Sequence, residues 1–328
     1  MPIKVINFEL RHPAGFGRTG AEVYAAALGM VAWAEERGFS RVSFGEHHQS
    51  PDGYLPSPFV FAAAVGGATS SIRVRVSAAL APLYNPVRLA EDIAVADLCL
   101  NGRLDVGLAV GYVEADFAAF GADYRKRGRS LEELVPFLRR AWTGEPLVHR
   151  GERIRVTPRP VQDPLPIHLC GSTPRSIDRA ARLADGYFPP MPHFWQYYRK
   201  ACVRHGRPDP GEQAPRGPIF LWVTTGDKAA EWERLAPHIR HQINSYGEWT
   251  SAAYVDPFGP FVPTRDIDSL GQNGAYRVVD PDEAIAIATE LGPAGELHIN
   301  PMLSGIAPDA AWEMLETLDT HVLPHLPH

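Results

Sequence analysis

Eight times along this chain a short apolar run is followed by a stretch with helical periodicity. Parallel strands need a crossover between them, usually a helix, so the alternation argues for a parallel sheet with helices outside it. Eight such units argue for closing that sheet into one α/β barrel, a (β/α)8 TIM barrel. The runs are Val5–Leu10, Arg41–Phe44, Arg73–Ala79, Leu104–Ala109, Pro166–Cys170, Gly186–Phe188, Ile219–Thr224 and Glu296–Asn300. A doubly wound open sheet is the alternative, but the Gly-rich dinucleotide turn after the first strand is absent. The expectation is one domain over residues 1–328, with insertions at about 147–165 and 240–280.

Helix signals sit between the strands. Thr19-Gly20-Ala21-Glu22 forms a capping-box pattern ahead of Val23, Ala27, Met30 and Ala34 on one face, with Gly38 as the stop. Pro58–Ser70 reads as a second helix, and Asn85-Pro86 opens a third with Pro at its first position. Ser130-Leu131-Glu132-Glu133 repeats the capping pattern and predicts a helix to Trp142, with Pro136 inside it. Leu147–Thr157 reads as a small β-hairpin around Gly151. Helices are then expected over Pro174–Ala184, Trp195–His205, Asp227–Ile239 and Pro308–Leu323. Residues 240–280 fit no repeat and carry Tyr246, Trp249, Tyr254, Phe258 and Phe261. An aromatic insertion after the seventh strand lies at the catalytic face of a barrel and is read as a lid.

Charge and cysteine content exclude several classes. Formal net charge is −6, and no basic stripe appears that would serve nucleic acid or an anionic membrane. The three cysteines, Cys99, Cys170 and Cys202, are too far apart in sequence for a metal knuckle and suit a reducing compartment. The N-terminal Met1-Pro2-Ile3-Lys4-Val5 runs straight into strand pattern, and no apolar run is long enough to span a bilayer. A soluble cytoplasmic protein is expected.

In a barrel the chemistry sits at the C-terminal ends of the strands. The second strand leads into Glu46-His47-His48, a carboxylate and two imidazoles suited to acid–base work near neutral pH. The plain structural alternative is that Glu46 and His47 only tie down a loop. The third strand ends in Ser77-Ala78-Ala79 and the fourth runs Gly107-Leu108-Ala109-Val110-Gly111-Tyr112, leaving room for a flat, bulky ligand. The fifth is followed by Gly171-Ser172-Thr173-Pro174, a helix start with free N–H groups and two hydroxyls that favours an anion.

Several of these segments resemble the bacterial luciferase-like flavin monooxygenases. The likeness is carried by Glu46-His47-His48, by the run from Leu80 to Asp92, and by Asn101-Gly102-Arg103-Leu104-Asp105-Val106-Gly107. Phe117-Ala118-Ala119-Phe120-Gly121-Ala122-Asp123 and the segment from Val278 to Leu326 carry it too. The resemblance implies reduced FMN held by its ring against the third and fourth strands, and by its phosphate near the fifth. It implies a non-prolyl cis peptide at Ser77-Ala78, His47 as the catalytic histidine, and Gly171, Ser172 and Thr173 as the phosphate turn. Gly111 and Tyr112 belong to the same cofactor rim. Where the family's luciferases carry a reactive cysteine and then a phosphate-binding arginine, this chain has Ala109 and Val110. Arg129, Arg175 or Arg127 is left to supply the charge, and light emission is disfavoured as the native role.

Read this way, the chain is a monooxygenase that takes reduced FMN from a separate flavin reductase and oxidises a small apolar or aromatic substrate with O2. His47 would transfer the proton and Glu46 would fix its tautomer, with His48 beside them. The alternative on the same fold is a deazaflavin (coenzyme F-420) dependent dehydrogenase or reductase. A third reading is a non-catalytic flavin-binding protein. A metal-dependent hydrolase on Glu46, His47 and His48 is disfavoured, because adjacent residues cannot easily ligate one ion. The family also implies a homodimer packed through early helices.

Overall fold

The computed structural model describes residues 1–252, 261–263, 266–268 and 274–326. In chain order the elements are β1 (Ile3–Phe8), α1 (Gly20–Glu36), β2 (Arg41–Phe44), α2 (Pro58–Ala68), β3 (Arg73–Leu80), α3 (Pro86–Cys99) and β4 (Leu104–Ala109). They continue with α4 (Glu114–Phe120), α5 (Arg127–Ala141), β5 (Leu147–His149), β6 (Glu152–Ile154), β7 (Ile167–Cys170), α6 (Pro174–Leu183), β8 (Gly186–Phe188) and α7 (Trp195–Arg204). The chain ends with β9 (Phe220–Val223), α8 (Lys228–Ala252), β10 (Tyr276–Val279), α9 (Pro281–Leu291), β11 (Glu296–Ile299) and α10 (Pro308–His321). Among the described residues no helix is long and apolar enough to cross a membrane. Two compact units result: Met1–Ser43, Gln49–Leu55 and Ala214–His328 form the first, Phe44–His48 and Pro56–Gln213 the second.

The second unit is built on a parallel ladder in the order β3–β4–β7–β8. Its strands bury Val74, Val76, Leu104, Val106, Leu108, Ile167 and Leu169 against the flanking helices. β5 and β6 pair antiparallel, Leu147 opposite Ile154. A helix at α5 was expected to start at the Ser130–Glu133 capping box. It starts instead at Arg127, so Ser130 lies inside it, and the N-cap residue Lys126 makes no side-chain capping bond. The reason lies one turn earlier. Asp123 accepts from the N–H groups of Arg125 (2.9 Å) and Lys126 (3.3 Å) and starts the helical turn there, while Glu133 pairs with Arg129 at 2.7 Å.

Helices α2 and α3 pack closely because Gly66 carries no side chain. A Cβ there would lie 2.6 Å from the carbonyl oxygen of Cys99. Backbone cannot yield as a side chain can, so Gly66→Ala is expected to cost about 1–3 kcal/mol and lower the melting temperature by a few degrees. An unchanged Tm would show that the two helices have slack here.

In the first unit β1 pairs in parallel with β11, and β9 with β10. β10 falls inside 240–280, where no strand was expected. Its residues Tyr276 and Val279 sit opposite Phe220 and Val223, and it is this partner that makes Tyr276-Arg277-Val278-Val279 a strand. Helix α8 also corrects the reading: it was expected to end at Ile239 but runs to Ala252, through Pro237. Its inward face is apolar at Leu235, Ile239 and Ile243 but polar at Gln242, which hid the continuation. Residues 240–252 are therefore helix rather than loop. Tyr254 and Phe258, which the lid reading used, lie outside the described residues.

The polar anchors of α8 are specific. Gln242 Nε2 donates to Glu9 Oε1 at 2.6 Å, and Gln242 Oε1 accepts from the Tyr276 hydroxyl at 2.7 Å. His241 Nε2 lies 2.7 Å from Asp52 Oδ2, and the hydroxyls of Tyr246 and Tyr54 are 3.0 Å apart. Burial pushes the Asp52 carboxyl up, but the bond to His241, the Arg11 charge and the Ser50 hydroxyl outweigh it and hold the group well below the usual carboxylate range. A carboxyl depressed in the folded state contributes stability above its unfolded pKa of about 3.9, and that stability fades as pH falls toward the folded value. Urea midpoints of the wild type are expected to drop below about pH 4, and Asp52→Asn to flatten that part of the profile. Parallel profiles for the two proteins would remove Asp52 as the cause.

Candidate active site

All of the expected site residues lie in the second unit. Glu46, His47 and His48 follow β2 rather than extending it. Glu46 is buried, at 2% exposure, and its carboxylate is held from three sides. Oε2 accepts from the backbone N–H of Leu80 at 2.8 Å, and Oε1 from the Tyr84 hydroxyl at 2.9 Å. His48 Nε2 lies 2.6 Å from the same Oε1. The carboxylate expected to serve His47 thus engages His48, and sequence reasoning missed Tyr84 altogether. The signal was available: Tyr84 lies just ahead of the Asn85-Pro86 helix start, at the exit of β3. Burial, and then the Glu46 charge, push the Tyr84 phenol far above its ordinary value, so it remains a donor.

His47 is buried, and its ring meets Tyr112 edge-on with centroids 5.9 Å apart. Tyr112 is positioned in turn: its carbonyl accepts from the Tyr124 hydroxyl at 3.2 Å. Gly111 has φ +73°, and a Cβ there would sit 3.2 Å from the ring of Phe117, which packs with Leu80 and Leu83. The Ser77–Ala78 peptide is cis, and the β3–β4 register shifts between Val76 and Ala79. Such an irregularity frees backbone from the ladder next to small side chains. It lies just before Leu80, the residue whose N–H holds Glu46.

At the other edge, Gly171 (φ +142°) precedes the start of α6. A Cβ on Gly171 would strike Ser176 Cβ and Oγ at 2.6 Å, so only glycine fits the turn. Thr173 caps the helix, accepting from Ser176 N–H at 3.2 Å, and Ser176 Oγ accepts from Thr173 N–H at 2.9 Å. The Thr173 hydroxyl is therefore spent on the helix. What remains for an anion is Ser172, the N–H of Arg175 in the first turn, and the exposed Arg175 side chain. Arg129 lies on the exposed face of α5 in its pair with Glu133, and Arg127 donates to the Tyr124 carbonyl at 2.8 Å and covers that ring. Two further histidines, on β7 and β11, are both engaged. His168 stacks on Phe188 at 4.1 Å, and His298 Nδ1 lies 3.1 Å from Asn7 Nδ2.

His48 and Tyr84 also line a groove of about 590 Å³ with Phe59, Val60, Leu83 and Phe120. Val60 (73% exposed), Val95 (43%) and Leu98 (42%) extend this apolar surface along α2 and α3.

Comparison with known proteins places these features in a context. The family model described as luciferase-like monooxygenase matches residues 4–294. The oxygenase component of a flavin-dependent trigonelline monooxygenase from Acinetobacter baylyi is 28% identical over 173 residues, 50% of this chain and 48% of that protein. The chain spans about half the length of the first curated relatives it matches, 54% and 48%. Two solved structures share the fold. One is the oxygenating constituent of 3,6-diketocamphane monooxygenase from the CAM plasmid of Pseudomonas putida, a type II Baeyer-Villiger monooxygenase in complex with FMN (TM-score 0.75, 17% identity, 100% and 99% of the two chains). The other is an F420-dependent secondary alcohol dehydrogenase in complex with an F420-acetone adduct (TM-score 0.69, 15% identity, 100% of both chains).

Proposed function

Because the chain belongs to the luciferase-like monooxygenase family, we propose that it is the oxygenase of a two-component flavin monooxygenase, working as one barrel domain over residues 1–328. It would take reduced FMN from a separate reductase in the cytoplasm and oxidise a small apolar or aromatic molecule with O2. The observation that carries this reading is the turn at Gly171. A backbone open to a phosphate, in front of a helix start and beside Arg175, fits a flavin mononucleotide.

When bound, reduced FMN supplies the electrons that activate oxygen. The chain's part is to bind, shield and move a proton. Ser172, the Arg175 N–H and the Arg175 guanidinium would hold the phosphate, leaving Arg129 to its pair with Glu133. The small residues Ser77, Ala78 and Gly111, with Tyr112, would face the ring. His47 would move the proton. Glu46, fixed by Leu80, Tyr84 and His48, would keep the His47 loop in place. The apolar face of α2 and α3 around Val60, Val95 and Leu98 supports a homodimer.

The test is anaerobic titration with reduced FMN, followed by oxygen admission with and without candidate substrates. Tight binding with substrate-dependent oxygen uptake is expected. Binding without oxygen uptake would point to a non-catalytic flavin carrier. The likeness to the F420-dependent dehydrogenase supports a second reading, hydride transfer with a deazaflavin, and a bound cofactor absorbing to the blue of FMN would establish it.

A further inference from the structure

The turn at Gly171 is gripped from behind. The hydroxyl of Tyr187, on the neighbouring strand β8, donates to the Gly171 carbonyl at 2.5 Å. Tyr187 is buried, at 3% exposure, and sits beside Leu169 in the β7–β8 register. Its ring packs against Tyr198, with centroids 5.0 Å apart, and stacks on Trp195 at 6.5 Å. Trp195 is tied down in turn, its Nε1 donating to the Gly211 carbonyl at 2.9 Å. A phenol walled in by rings delivers its hydroxyl to one place.

The bond is not needed to cap α6. Thr173 and Ser176 already do that for each other. Its consequence lies in the peptide plane. A trans peptide is flat, with its C=O and N–H pointing in opposite directions. The Gly171–Ser172 peptide is trans. Holding its carbonyl on the Tyr187 side therefore aims the Ser172 N–H away from Tyr187. That N–H has no hydrogen-bond partner among the described residues, and neither has the Ser172 hydroxyl. Left alone, the plane would turn easily, because glycine offers little resistance to rotation. Turned over, it would present an oxygen where it now presents a donor, and an oxygen repels an anion. The grip also polarises the peptide, since a carbonyl that accepts a bond makes its N–H a stronger donor.

We propose that Tyr187 is a positioning residue for phosphate recognition: by holding the Gly171 carbonyl, it presents the Ser172 N–H to the phosphate monoester of FMN. The inference rests on the reading of this turn as the phosphate site. It adds that preference for the phosphorylated flavin is set in part by a side chain that acts only through the turn.

The test is anaerobic titration of the flavin-free full chain with reduced FMN and with reduced riboflavin, which lacks the phosphate. The wild type is expected to prefer FMN by about a hundredfold or more, as several charge-assisted hydrogen bonds imply. Tyr187→Phe keeps the ring and removes the donor. It should weaken FMN about tenfold while leaving riboflavin within about twofold, a split that a merely structural role would not produce. Replacing Tyr187 by 4-aminophenylalanine returns a donor to the same point and should restore most of the preference, and it serves as the second variant should the phenylalanine form fail to fold. A wild type that binds both flavins equally would remove the phosphate reading of the turn, and this proposal with it. A full wild-type preference that survives Tyr187→Phe would leave that reading standing and overturn the role of Tyr187 alone. So would parallel losses for both flavins, or a 4-aminophenylalanine form with no preference for FMN.

Discussion

His47→Ala is expected to leave FMN affinity unchanged and to lower substrate oxidation by about 10²–10⁴-fold, the range a positioned acid–base group supplies. The separation of the two effects follows from the geometry. The turn proposed for the phosphate is made by Gly171, Ser172 and the start of α6, while His47 stands against Tyr112 after β2. Removing the imidazole would take away the proposed proton carrier without touching the turn. Glu46 remains anchored to Leu80, Tyr84 and His48, so the loop keeps its course. Flavin titration and single-turnover oxygen kinetics on the same preparation measure the two effects separately. Oxidation at the wild-type rate would take His47 out of the mechanism and leave His48, which holds the direct bond to Glu46, as the residue to examine.

The largest expected loss of stability comes from Arg11→Met, about 3–5 kcal/mol, because removing one partner of a buried ionic group leaves the others uncompensated. Glu9 and Asp52 would face each other with no guanidinium between them, and Tyr54, Tyr246 and Trp249 would lose the cation against which their faces rest. Chemical denaturation gives the difference directly. Combining Arg11→Met with Glu9→Gln and Asp52→Asn should restore part of it, since neutral neighbours no longer need a counter-charge. A change under about 1 kcal/mol for the single variant would show that water reaches and solvates the cluster.

The parts of the molecule legible in the sequence are those with local causes. The Thr19–Glu22 capping box forms as its spacing requires, and Pro86 stands at the first position of α3 behind the Asn85 cap. The strands from β1 to β4 declare themselves through short apolar runs or, in β3, through the alternation Arg73-Val74-Arg75-Val76, and the Ser77–Ala78 peptide implied by family likeness is cis. What stayed hidden depends on partners distant in sequence. Helix α8 continues past Ile239 because Glu9, Asp52 and Tyr54 meet its polar residues, and no window around Gln242 contains them. β10 needs β9 beside it. The Glu46 site shows the same limit: adjacency in sequence pointed to His47, whereas the bonds reach Tyr84 and Leu80, about thirty-five positions on. Ser130 carried a capping signal that Asp123 had already pre-empted.

The anchors of α8 have a mechanical corollary. Gln242, His241 and Tyr246 grip four partners, Glu9, Tyr276, Asp52 and Tyr54, from a single rod. Turning that rod by a single residue swings its side chains through about 100°, which breaks all of these grips together. Sliding therefore has no halfway stop. The helix therefore holds one register along its whole described length, to Ala252.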